Sequence, residues 1–221
     1  MSRPNLLYIF TDQQRADTMQ CYGNAQIETP SLNALARESF VFDHAYVSQP
    51  VCSPSRATMM TGLWPHSCGV PSCNVPLPAD LPTIAEHLSD EYATAYMGKW
   101  HLGGPPFSLP AQHGFDVNVA GSEHGAPGSY FYPYKGKWTV PTTRTPVVKQ
   151  TLPDGKSGEY LTDRLTDEAI ALIRKNRERP FFLYFPHYAV HTPLQAKKEA
   201  IARYETVAKG KRQGKPAYAA M

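Results

Sequence analysis

Cys52-Ser53-Pro54-Ser55-Arg56 is the segment of this sequence best suited to chemistry. Proline close behind the cysteine favours a helix start, which predicts a helix opening at Ser53-Pro54, running to about Thr61 and stopped by Gly62. Cys52 then sits at a helix N-terminus, where unpaired N–H groups and the dipole favour negative charge and make the thiol a candidate nucleophile. Arg56, one turn later, can share that face and offers a fixed cation. The plainer alternative is a structural cysteine in a proline-containing turn. Further reactive groups follow three apolar runs: Asp12-Gln13 after the first, Lys99 and His101 after the second, His187 and His191 after the third. With i, i+2 spacing, Lys99 and His101 point the same way if their segment is extended.

The elements that must position these groups alternate. Strands are expected at residues 5–11, 40–47, 92–97 and 181–185, the first as a continuous apolar run buried on both faces. Helices are expected from Thr29-Pro30, across 81–88, across 158–176 with Leu161, Leu165, Ala169, Leu172 and Ile173 on one face, and across 195–207. Alternation of this kind predicts an α/β fold with a mainly parallel sheet flanked by helices. Ligands in such sheets bind beyond the carboxyl ends of the strands, where these polar groups fall.

Cys52-x-Pro54-Ser55-Arg56 resembles the signature of the type I, formylglycine-dependent sulfatases of the alkaline-phosphatase-like superfamily. The resemblance extends along the chain. Pro4 to Gln13 is similar to their first strand and first metal carboxylate, and Gly98-Lys99-Trp100-His101-Leu102-Gly103 matches their Gly-Lys-Trp-His-Leu-Gly segment. Gly114-Phe115-Asp116 fits the run that follows, and residues 181–193, ending His191-Thr192-Pro193, resemble the strand and histidine facing the leaving group. The motifs are moderately specific singly and highly specific in this order.

The resemblance implies a sulfuric ester hydrolase acting on a sulfated sugar or aryl sulfate. A maturation enzyme would oxidise Cys52 to formylglycine, whose hydrate attacks sulfur with one hydroxyl and expels sulfate with the other. Ca²⁺ or Mg²⁺ would be held by Asp12, Gln13 and the hydrate at position 52. Lys99 and Arg56 would supply positive charge, His101 would take the proton that drives release, and His191 would assist the leaving group. Gln13 departs from the aspartate many relatives carry there. Ser122 and Ser129 lie where some relatives place a sulfate-contacting serine, and His187 matches no motif. The relatives are longer, with an Asp-His-Gly or Asp-Asn-Gly turn that this chain lacks. The 221 residues are therefore expected to be the N-terminal part of a catalytic domain, inactive alone. The alternatives are a phosphonate or phosphate diester hydrolase on the same scaffold, a metal-free Cys–His hydrolase, and a non-catalytic remnant.

Composition narrows the classes further. Hydrophobic residues at 42% and charged residues at 19% are globular values. The net charge of +3 is concentrated at the end, where residues 195–221 hold seven Lys/Arg against Glu199 and Glu205. That excess lacks interleaved aromatics, so a solvated face is expected rather than a nucleic-acid surface. No apolar stretch is long enough for a bilayer span, and no secretion signal is visible. The chain is expected to be cytoplasmic as written, or periplasmic or extracellular if a signal was removed. Twenty-one prolines, most of them between Pro50 and Pro153, predict ordered loops in the middle region. Among four cysteines, Cys68 and Cys73 are spaced so that they can pair in an oxidising compartment, or each serves as a loop or buried thiol. Nothing in the sequence sets the oligomeric state.

Overall fold

The apolar runs become parallel strands in the computed structural model, which describes residues 3–135, 152, 155–209 and 214–221. In chain order the elements begin with β1 (Leu6–Phe10), α1 (Pro30–Arg37), α2 (Cys52–Thr61), α3 (Ile84–Leu88) and β2 (Ala93–Met97). They continue with β3 (Val117–Val119), α4 (Leu161–Lys175), β4 (Phe181–Pro186), α5 (Lys198–Thr206) and α6 (Pro216–Ala220). No helix among the described residues is long and apolar enough to cross a membrane.

The chain divides into two units. Residues 1–12 with 47–188 form the first, and residues 13–46 with 189–221 form the second. All four strands belong to the first unit, in the order β1-β4-β2-β3, every neighbouring pair parallel. β4 is fully buried in the middle, as six consecutive apolar or aromatic residues demand of a strand covered on both faces. The core packs around rings from β2, β4 and the turn after β2. Tyr96 stacks on Tyr184 at 5.4 Å and meets Trp100 and Phe115 edge-on, each at 5.1 Å between centroids. Met60 and Ala57 of α2 close the cluster. α3 begins with a capping box, in which Thr83 Oγ1 accepts from the Glu86 N–H and Glu86 Oε2 accepts from the Thr83 N–H at 2.7 Å.

In the second unit, α1 opens at Pro30 as expected and buries none of its residues fully. α5 and α6 lie close together, and Tyr204 and Arg203 of α5 reach Glu28, the tyrosine hydroxyl accepting from its backbone N–H at 3.1 Å. α6 follows Pro216 in its first turn.

Two expectations are corrected. Among the described residues β1 is an edge strand of the sheet, with Leu7 50% and Ile9 57% exposed, not a strand buried on both faces. Continuous apolarity reports suitability for burial and does not supply the neighbour. Residues 40–47 form no strand, and Phe40, Phe42 and Tyr46 are exposed. A run of alternating residues becomes a strand only where another backbone meets its N–H and C=O groups. β3, three residues long, is too short to read from periodicity. The ordered-loop expectation falls partly on residues 136–151 and 153–154, and two of the terminal cations, Lys211 and Arg212, fall on 210–213. These lie outside the described residues.

Candidate active site

α2 begins at Cys52, one residue earlier than expected, with Pro54 tolerated in the first turn and Gly62 closing the helix at φ +72°. Val51, the residue before the helix, offers no side-chain cap, and the Ser53 backbone bonds the Cys73 sulfur instead. Lys99 Nζ donates to Cys52 Sγ at 3.2 Å. The same Nζ lies 2.7 Å from Asp12 Oδ2, and Arg56 Nη2 donates to that oxygen, also at 2.7 Å. Asp12, Arg56 and Lys99 are all buried, Lys99 completely. Arg56 reaches further, donating through Nη1 to the Lys99 carbonyl and lying over the Phe10 ring. Burial raises the Asp12 pKa, but the nearby charges of Lys99 and Arg56 outweigh it and hold the carboxyl below its usual range.

The geometry around His101 differs from the extended segment expected. Gly98 at φ +128° and His101 at φ +57° turn the chain after β2, so Lys99 and His101 approach Cys52 through a tight turn. The turn is fastened on both sides. Ser53 Oγ donates to the His101 carbonyl at 2.8 Å, and the His101 N–H donates to the Ser122 carbonyl at 2.9 Å. Gly125 packs so closely on the imidazole that an added Cβ would lie 2.5 Å from Cε1. Burial lowers the His101 pKa, outweighing the raising effect of Cys52 beside it, and Lys99 adds to the depression, so the ring is held toward its neutral form.

Two residues near the site carried no sequence signal for it. Cys73 Sγ, Cys52 Sγ and a His101 ring nitrogen all lie within 4.8 Å of one another. Asn74, at φ +65°, places Oδ1 3.2 Å from His101 Nε2. Cys73 is therefore beside Cys52, not paired with Cys68, which is buried and donates to the Pro65 carbonyl. Non-glycine residues at positive φ give no periodicity by which to find them.

The structure brings Asp12, Cys52, Arg56, Lys99 and His101 together within the first unit. Gln13 and His191 belong to the second. There, the Gln13 carbonyl accepts from the Tyr218 hydroxyl at 3.2 Å, and His191 Nδ1 lies 2.8 Å from the Thr192 carbonyl. Ser122 is buried, and Ser129 accepts from the Phe131 N–H.

His187 serves structure. Its N–H donates to the Phe10 carbonyl at 2.7 Å, its ring lies 4.2 Å from that of Phe185, and burial pushes its pKa down to about 4. Below the unfolded value of about 6.5 the unfolded chain takes up a proton that the folded chain refuses. Stability contributed by the neutral ring is thus expected to fall by about 3 kcal/mol as pH drops from about 6.5 to about 4, and then to level off. Thermal midpoints measured across that window check it: His187→Phe should flatten the slope, and an unchanged slope would exclude the assignment.

One carboxylate already engaged by two cations is a poor set for Ca²⁺ or Mg²⁺, which need about six or more oxygen ligands. The described donors of the first unit do not by themselves fit either ion.

Comparison with known proteins places this geometry among relatives. The sequence matches the family model Sulfatase over residues 4–219. It is 33% identical over 221 residues to N-acetylgalactosamine-6-sulfatase of Rattus norvegicus, covering 89% of this chain and 41% of that protein. The crystal structure of Ps i-CgsB is similar with a TM-score of 0.76 at 32% identity, covering 100% of this chain and 52% of that one. BT4656, solved in complex with its substrate D-glucosamine-2-N,6-O-disulfate, is similar with a TM-score of 0.72 at 26% identity, covering 92% of this chain and 38% of that one. The chain thus spans less than half the length of the curated relative it matches.

Proposed function

The chain belongs to the sulfatase family, and on that premise we propose that it carries the nucleophile and the cations of a site hydrolysing sulfate esters of sugars. The observation that carries this reading is a charge imbalance beside Cys52. Two buried cations, Arg56 and Lys99, share one carboxylate among the described residues, leaving an excess positive charge. Buried positive charge requires an anion, and an anionic ester presented at the N-terminus of α2 supplies one.

Position 52 suits formylglycine. It is only half-buried, and an oxygen there can accept from Lys99 Nζ, which already donates to the sulfur. Converted, it supplies a hydrated aldehyde hydroxyl as nucleophile. Lys99 orients that position and offsets charge growing on the sulfate oxygens, while Arg56 holds Asp12 and the Lys99 backbone in place. His101 is arranged as a base. Asn74 Oδ1 accepts the proton carried by Nε2, which leaves the lone pair on Nδ1, a buried atom with no hydrogen-bond partner in the structure. His191 is proposed to assist the leaving oxygen and Gln13 to contribute to cation binding. Both roles rest on the family resemblance. Sulfated sugars are proposed because the relatives above are named for them or bind one.

The test is hydrolysis of an aryl sulfate, an aryl phosphonate and a 6-sulfated hexosamine by the full-length gene product matured at position 52. Sulfate esters should be preferred, and Cys52→Ala should lower their turnover by at least about 10³-fold. Undiminished turnover in that variant, or preference for the phosphonate, would overturn the reading.

A further inference from the structure

We propose that Cys73 is the partner for a disulfide with Cys52 in chains whose position 52 is still cysteine, making this pair a modification site for small disulfide oxidants such as oxidised glutathione. The two sulfurs lie within 4.8 Å of each other, although 20 residues lie between them in sequence. Cys73 is hydrogen-bonded to Cys52, and the Ser53 backbone also bonds its sulfur, so the loop after α2 holds it against the helix start. Cys52 Sγ accepts from Lys99 Nζ at 3.2 Å, which fixes that sulfur beside Cys73. Cys73 is only half-buried, so a small oxidant can approach the pair.

The chemistry balances in two exchanges. The Cys52 thiolate attacks one sulfur of oxidised glutathione, a Cys52–glutathione bond forms, and one glutathione leaves as thiolate. Cys73, giving up its proton, then attacks the Cys52 sulfur. The glutathione bond breaks, and the second glutathione departs as a thiolate that takes up that proton. Two protein thiols are oxidised by two electrons and one oxidant disulfide is reduced to two thiols. Cys68 does not compete, being buried with its thiol on the Pro65 carbonyl, and Cys21 lies in the other unit. The consequence for maturation rests on the formylglycine reading above: a chain in this state offers no thiol at position 52 to be oxidised to the aldehyde.

Full chain made in a cell-free system without a maturation enzyme carries cysteine at 52, which intact mass verifies. After treatment with oxidised glutathione and alkylation of remaining thiols, a non-reducing digest should yield a Cys52–Cys73 cross-linked peptide. Because the second exchange is intramolecular, it should exceed the Cys52–glutathione adduct by roughly tenfold or more. In Cys73→Ser and Cys73→Ala the reaction should stop at that adduct, whereas Cys68→Ser should still cross-link. A stable glutathione adduct in the unaltered chain, or a cross-link to Cys68 or Cys21 instead, would overturn the proposal. Chain co-produced with a maturation enzyme separates the two ideas. Cysteine persisting at 52 there counts against the formylglycine reading alone, and a missing cross-link in the cell-free chain counts against the disulfide alone.

Discussion

Asp12→Ala is expected to destabilise the chain by about 3–5 kcal/mol and to lower its thermal midpoint by roughly 10 °C. The reason lies in what remains. Arg56 and Lys99 are buried, and Asp12 Oδ2 meets both at 2.7 Å. Without the carboxylate, two cations stay desolvated and face each other. The attraction of the original pair matters less than this stranded charge. The same logic sets an acid dependence. Because the folded Asp12 carboxyl is held below its usual range, its contribution is present above the unfolded value of about 3.8 and is lost as pH falls through the lower folded value. Thermal denaturation of Asp12→Ala beside the double variant Asp12→Ala/Arg56→Leu checks the mechanism, since removing one stranded cation should restore part of the loss. Equal midpoints for the single variant and the unaltered chain would show that the carboxylate does not hold the cations.

Gly98→Ala is expected to be comparably severe, at least about 3 kcal/mol, for a steric reason. A Cβ at position 98 would lie 1.8 Å from the Pro186 carbonyl oxygen, which also accepts the Lys99 N–H at 2.9 Å. The clash is with backbone and no rotamer relieves it, while φ of +128° adds strain for any side chain. Gly62→Ala is the control. It also sits at positive φ but has nothing within 4 Å of its Cβ, so it should cost only about 1–2 kcal/mol. Denaturant midpoints of the two variants check the difference. Equal costs would mean that close approach to β4 contributes nothing.

Much of this was legible from the sequence, and the exceptions share a physical cause. α2 announces itself through Pro54 and Gly62, and its start is misplaced by a single residue. β2 and β4 read cleanly because apolar runs of that length bounded by polar residues have few other uses. Where sequence reasoning failed, the deciding partner was distant in the chain. Among the described residues, the apolar residues at 40–47 find no strand to pair with, β1 has a neighbour on one side only, and Cys73 reaches Cys52 through a loop without periodicity. Lys99 and His101 do converge, but through left-handed turns. The assembled grouping of Asp12, Cys52, Arg56, Lys99 and His101 was foreseeable from motif order, whereas the sharing of Asp12 by two cations was not.

The sheet order also has a consequence in time. β1 is made first, yet its only neighbour among the described residues is β4, and Leu6 pairs with Phe182. At translation speeds of about 5–20 residues per second, β1 waits on the order of ten to thirty seconds for the strand that receives it. Through that interval α2 has no finished sheet to pack against and Cys52 remains on an open chain. Any modification of Cys52 that needs an open chain therefore works against a clock set by the synthesis of residues 181–186, and slowing translation before β4 should lengthen its opportunity.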